Sequence, residues 1–108
     1  MIDIIEEKRS ELEALCRQYG IVKLDIFGSA VTDAFDPERS DIDFIVDLGG
    51  YERGVAKRFL RFADALEALF GRSVDVITEP SLRNPYFIDE VNETRTPLYA
   101  AADRKATA

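Results

Sequence analysis

Apolar residues recur along the chain with two alternating periods. Ile5, Leu12, Leu15, Cys16 and Tyr19 fall at helical spacing behind Asp3 and Glu6, a D-x-x-E pair of the kind that caps a helix start, and Gly20 supplies a stop. This predicts a first helix from about residue 3 to 19. IVKLDIF (21–27) then packs β-branched and aromatic residues into a short stretch ended by Gly28, which suits a strand buried on at least one face. IDFIVDL (42–48) predicts a second strand, followed by the punctuation of Gly49 and Gly50. From Glu52 to Phe70, residues Val55, Phe59, Phe62, Ala63, Leu66, Leu69 and Phe70 fall on one helical face, with most charges outside it, and Gly71 closes the helix. SVDVI (73–77) reads as a third strand. Asn84 and Pro85 have the character of an N-cap and first helical position, opening a shorter helix to about Thr94 that Pro97 cannot continue.

This order predicts one domain over residues 1–100, an α/β (α+β) fold with a mixed sheet of three or four strands covered by helices, and a frayed tail over 101–108. The connection between the first two strands is too short for a crossover helix and too long for a tight hairpin. It carries Ser29, Asp36, Pro37, Arg39 and Ser40, and one helical turn is expected after Ser29. Such a loop is the first place to look for function.

Composition narrows the chemistry. The 108 residues contain no histidine, so Ser-His-Asp and Cys-His nucleophilic machinery and His-ligated metals are excluded. The single cysteine, Cys16, allows neither an internal disulfide nor a thiolate zinc cage, and its place on the apolar stripe of the first helix predicts burial. The opening residues lack the basic end and apolar run of a signal peptide, so a cytoplasmic protein that does not contact membrane is expected. Fourteen Lys and Arg against 21 Asp and Glu leave a formal charge of −7, which argues against direct nucleic-acid binding and leaves room for divalent cations and a basic protein partner.

The carboxylates are where a pattern emerges. Asp41 and Asp43, two residues apart at the mouth of the second strand, emerge on one face while Ile42 and Phe44 point the other way. Carboxylates held together repel unless a cation neutralises them, and a hard divalent ion is the natural partner. Asp75 alternates with Val74 and Val76, and it can share the face of Asp41 and Asp43 if the second and third strands are neighbours. Upstream, Gly28 and Ser29 end an apolar strand at a position where backbone N–H groups favour phosphate. Turn caps and ordinary polar alternation account for each of these residues singly. Their combination, strand, GS, loop, DID, strand, is what points to a site.

With these motifs the chain resembles the minimal nucleotidyltransferases of the DNA polymerase β-like superfamily, especially the antitoxin partners of HEPN toxins. LDIFGSA, SDIDFIVDL and VDVIT carry the resemblance, and the closing LRNPYFIDEVNETRTPLYAA has the same general character as that family's C-terminal segment. Eleven residues, 30 to 40, separate Ser29 from Asp41 where the family usually has ten, and Thr32 and Asp33 stand where many members have Arg-Gly. The resemblance implies that Gly28 admits a nucleoside triphosphate, that Ser29 hydrogen-bonds its β or γ phosphate, and that Asp41 and Asp43 hold Mg²⁺. It further implies that Asp75 ligates the metal beside the attacking hydroxyl and assists its deprotonation, two ions sharing the work. Arg39, by its location before the DID strand, is a further phosphate candidate. By the same resemblance, ATP donates AMP to a tyrosine of a HEPN-type ribonuclease toxin held in a heteromeric complex, which neutralises it. Two other readings remain open: an antitoxin acting by binding alone, and nucleotidyl transfer to a small molecule.

Overall fold

The computed structural model describes residues 1–101, and the tail expected to fray lies outside the described residues from Ala102 on. The chain runs α1 (Asp3–Glu7), α2 (Arg9–Gln18), β1 (Lys23–Phe27), β2 (Ile42–Asp47), α3 (Val55–Phe70), β3 (Val74–Thr78), α4 (Pro85–Thr94) and β4 (Thr96–Ala100), with short 3-10 turns at Gly28–Val31 and Glu79–Ser81. The four strands form one mixed sheet in the order β3-β2-β1-β4. β1 pairs antiparallel with β2 and β4, while β2 and β3 run parallel, joined by the α3 crossover.

Two expectations are corrected, and a fourth strand is found where none was assigned. The first helix is two segments broken at Lys8, where the backbone turns to φ −107°, ψ 17°. Asp3 and Glu6 form no side-chain cap; Ile2 is the N-cap, and its N–H is bonded instead to the carbonyl of Ala30, so tertiary pairing anchors the helix start. Pro97 does end α4, yet it then sits inside β4, a strand the hydropathy pattern does not show. An edge strand tolerates proline, and the pairing with β1 shifts register between Leu24 and Asp25 opposite it.

Alternation sends the two faces of the sheet to different environments. Leu24, Ile26, Ile42, Phe44 and Val46 point to one side and pack with Ile5, Leu12, Cys16, Phe62, Leu66 and Phe70 from α1, α2 and α3. Phe44 stacks on Phe70 at 6.0 Å between ring centroids. Cys16 is buried there and its thiol is pushed up to about 12 by burial, then by the charge of Glu13, so it is inert. Among the described residues the opposite face is covered by α4 and the residues before it, through a small cluster of Phe27, Ile45 and Val91 flanked by Ile77, Leu82 and Phe87.

Arginines fix the loops. Arg58 donates to the carbonyls of Tyr19, Gly20 and Leu48, capping the end of α2. Arg72 donates to the carbonyls of Pro37 and Ser40 and lies 4.7 Å above the ring of Phe35, which ties the β1–β2 connection to the start of β3.

Candidate active site

The α4 side of the sheet is where the carboxylates gather. Asp43 lies directly opposite Asp75 in the parallel β2–β3 register and opposite Phe27 in the antiparallel β1–β2 register. The second and third strands are thus neighbours, as Asp75 needs in order to share a face with Asp43. Gly28 follows Phe27 with φ +78°, and a Cβ there would stand 2.6 Å from Asp43 Oδ2. The turn conformation thus favours glycine, and any side chain there would push the Asp43 carboxylate aside. Its N–H is already committed, donating to Thr94 Oγ1 of α4 at 2.7 Å.

These residues border a cavity of about 450 Å³ between the sheet and α4. Gly28, Asp43 and Asp75 supply its polar side, Phe27, Ile77, Phe87 and Val91 an apolar wall, and Glu90 a further carboxylate from α4. Among the described residues no Lys or Arg forms an ion pair with Asp43 or Asp75. Burial first, and then the charges of Asp75 and Asp41, push the Asp43 carboxyl up to about 6. Uncompensated negative charge in a partly desolvated cleft is an environment that a cation would relieve.

The other predicted site residues stand outside this cavity. Asp41 precedes β2 and is exposed, near enough to contribute to the repulsion felt by Asp43. Ser29 is half-buried in the 3-10 turn, where its carbonyl accepts from the N–H and hydroxyl of Thr32. Arg39 is exposed within the turn that Asp36 and Ser40 close. The exposed Asp33 lies on the loop beyond. Asp47, which continues the alternation from Asp43, accepts from the N–H of Gly49 and serves the turn.

Mg²⁺ is the metal that this donor set suits. Among the described residues no three carboxylate or thiolate groups converge as a ready-made cage. Magnesium does not need one, since it is commonly held by one or two carboxylates together with substrate phosphates and water. The aligned pair Asp43 and Asp75, short of positive partners and oxygen-only, fits that requirement.

Several contributors escape a reading of motifs. Phe87, Glu90 and Val91 roof the cavity and Thr94 takes the Gly28 N–H. Behind them Asp25, 1 % exposed, accepts from Arg95 Nε at 2.5 Å and has Lys23 Nζ at 3.6 Å, while the Arg95 Nη2 donates to Glu79. Burial disfavours charge on Arg95, but its bonds to Glu79 and Asp25 outweigh that and hold it protonated. The signal for Asp25 was a lone carboxylate between Leu24 and Ile26 in a buried strand, the same irregularity that drew attention to Asp75.

Comparison with known proteins identifies the family. The family model described as "Nucleotidyltransferase domain" matches residues 8–97. The chain is 32 % identical over 91 residues to a Methanocaldococcus jannaschii protein named "Putative protein adenylyltransferase MJ1217", covering 84 % of this chain and 90 % of that one. Its fold is similar to that of a toxin-antitoxin crystal structure with AMP-PNP, with a TM-score of 0.66 at 18 % identity, over 92 % of this chain and 78 % of the other. A chain from the complex of a tri-AMPylated Shewanella oneidensis HEPN toxin with an MNT antitoxin matches with a TM-score of 0.61 at 16 % identity, over 94 % and 77 % respectively. At those identities the structural likeness is one of fold. A cleft that sets paired carboxylates against a glycine turn is therefore found in a chain that belongs to the nucleotidyltransferase domain family, and the protein is a nucleotidyltransferase.

Proposed function

We propose that this nucleotidyltransferase moves AMP from ATP to a tyrosine hydroxyl of a HEPN-type toxin with which it forms a complex, and so neutralises it. The observation that carries the reading is the Asp43–Asp75 pair, in register across β2 and β3 beside Gly28 in one cavity. The names of the similar proteins, a protein adenylyltransferase and an antitoxin bound to an AMPylated toxin, support the choice of AMP and of a protein acceptor. AMP-PNP in a third supports ATP as donor. The free buried thiol of Cys16 suits the reducing cytoplasm as the place of reaction.

Chemically, the acceptor oxygen forms a bond to the α-phosphorus, the bond from that phosphorus to the bridging oxygen breaks, and pyrophosphate departs. Asp41, Asp43 and Asp75 would hold the Mg²⁺ ions, which supply charge neutralisation to the triphosphate and acidify the acceptor hydroxyl. Asp75 accepts the hydrogen bond of the attacking hydroxyl, orients it and takes its proton as the bond to phosphorus forms. Asp43 and Gly28 shape the floor on which the phosphates lie. Ser29 donates its hydroxyl to the β or γ phosphate, and Arg39, exposed on the same connection, reaches the departing charge. Phe27, Phe87 and Val91 exclude water from one wall and offer an apolar surface to a ring.

The test is the intact mass of a HEPN-type partner after co-expression with the wild-type chain and with the Asp41→Asn, Asp43→Asn double variant. AMP additions present with the wild type alone are expected. An unmodified partner that copurifies with and is inhibited by both versions would replace the reading with neutralisation by binding.

A further inference from the structure

We infer that Arg95 is a positioning residue: braced by buried Asp25 and by Glu79, it locks the roof helix α4 in place over the cavity and thereby sets the Gly28–Asp43 edge. The inference rests on the proposed nucleotidyl transfer only for its kinetic consequence. Arg95 is the residue that ends α4. Its Nε takes Asp25 Oδ2 of β1, and its Nη2 takes Glu79, the residue immediately after β3. One planar guanidinium therefore joins β1, the end of β3 and α4, which are elements that border the cavity.

The position of its neighbours gives this brace an effect on the site. Thr94, directly before Arg95, receives the Gly28 N–H at 2.7 Å, and Gly28 is the residue packed against the Asp43 carboxylate. A displacement of Arg95 moves Thr94, frees the Gly28 N–H and loosens the contact with Asp43. Besides this fork, α4 is held by the Thr94–Gly28 bond and, just past its end, by the pairing of β4 with β1. Its apolar attachment to the sheet is the small cluster around Phe27, Ile45 and Val91, and such a patch lets a helix slide in a way that directional hydrogen bonds do not.

Stability alone is a weak reason for the arrangement. Asp25 is buried in an apolar strand with Oδ1 lacking any hydrogen-bond partner, and a well-packed apolar residue in place of such an ion pair is often as stable or more so. A bridging fork offers a single geometry. That matters where a misplacement of about 1 Å can cost ~100-fold in rate.

Two variants test this. Arg95→Lys keeps the charge near Asp25 but cannot bridge both carboxylates in one plane, and Glu79→Ala removes one arm while leaving buried Asp25 paired. The first readout needs no activity: amide hydrogen exchange at Gly28, with Leu66 in α3 as control. Exchange at Gly28 is expected to accelerate about 10-fold or more in Arg95→Lys, and less in Glu79→Ala, with Leu66 unchanged. The second readout is AMP transfer per folded molecule, where kcat is expected to fall roughly 10-fold in Arg95→Lys with KM for ATP within about twofold. Unchanged Gly28 protection in both variants overturns the inference, as does a wild-type kcat in Arg95→Lys. If the wild-type protein transfers no AMP at all, the functional reading fails and the exchange measurement alone decides whether Arg95 holds the roof.

Discussion

The two faces of the sheet are built from the same strands and obey opposite rules. On the α1–α3 side every inward position of β1 and β2 is apolar and buried, and aromatic rings from β2, α3 and Tyr19 at the end of α2 pack in pairs. On the α4 side the same strands present Lys23, Asp25, Asp43 and Asp47, with Asp75 beside them on β3 and only a small apolar cluster between. The first face holds one nucleophile among the described residues, the Cys16 thiol, and burial keeps it protonated. The second has more charge than its own packing can neutralise, and the difference shows that stability and reactivity are separated here by strand alternation and not by distance along the chain.

Breaking the apolar face should give the largest effect. Phe62→Ala, at a fully buried position, is expected to cost about 3–5 kcal/mol in urea unfolding while AMP transfer per folded molecule stays at the wild-type level. Charge removal on the other face should do the reverse. Asp43→Asn is expected to lower the rate of transfer at least ~100-fold, about 2.7 kcal/mol in barrier, with the fold intact by circular dichroism.

A pH series on that same variant sharpens the contrast. The Asp43 carboxyl stands raised from 3.8 to about 6, so the folded protein binds its proton more tightly than the unfolded chain does. The stability this group contributes is full below about pH 4 and is lost as pH rises through about 6. Metal-free Asp43→Asn should therefore match the wild type in acid and exceed it by about 1 kcal/mol at pH 8, a figure reduced for solvent screening of a partly exposed group. Added Mg²⁺ with ATP should stabilise the wild type and narrow the gap. Equal thermal midpoints at pH 8 would remove the claim that burial and the neighbouring carboxylates destabilise the charged form of Asp43.

Weaker effects come from the roof and the loop. Asn84 accepts from the N–H groups of Tyr86 and Phe87 at the start of α4, and Asn84→Ala should cost about 1 kcal/mol by thermal unfolding. Arg39→Ala, at an exposed position, should alter stability by less than about 0.5 kcal/mol, so any change in KM for ATP can be read as a nucleotide contact.

Much of the apolar face was legible in the chain. The stripes of α2 and α3 and the alternation in β2 place Leu12, Cys16, Phe62, Leu66, Phe44 and Val46 where they are found, because burial of apolar side chains with a fixed period leaves few arrangements. The carboxylate face was legible only in part. Gly28, Asp43 and Asp75 announced themselves by local irregularity, a glycine closing a strand and charges inside apolar runs. Asp25 had the same irregularity, but the significance of Asp25 depends on a guanidinium 70 positions away. The fourth strand was hidden because Pro97 reads as a breaker, and only the unpaired edge of β1 makes TPLYA a strand.

Local sequence by itself determined α2, α3 and α4, three of the strands, the buried thiol and the choice of Asp41, Asp43 and Asp75 as candidate carboxylates, since periodicity, turn glycines and charge are properties of neighbouring residues. Tertiary structure alone decided that β2 and β3 align Asp43 with Asp75, that α4 roofs the cleft, and that Arg95 meets Asp25 and Glu79. Register and long-range pairing arise from the simultaneous satisfaction of many hydrogen bonds and apolar contacts across the whole domain, and no single segment contains that information.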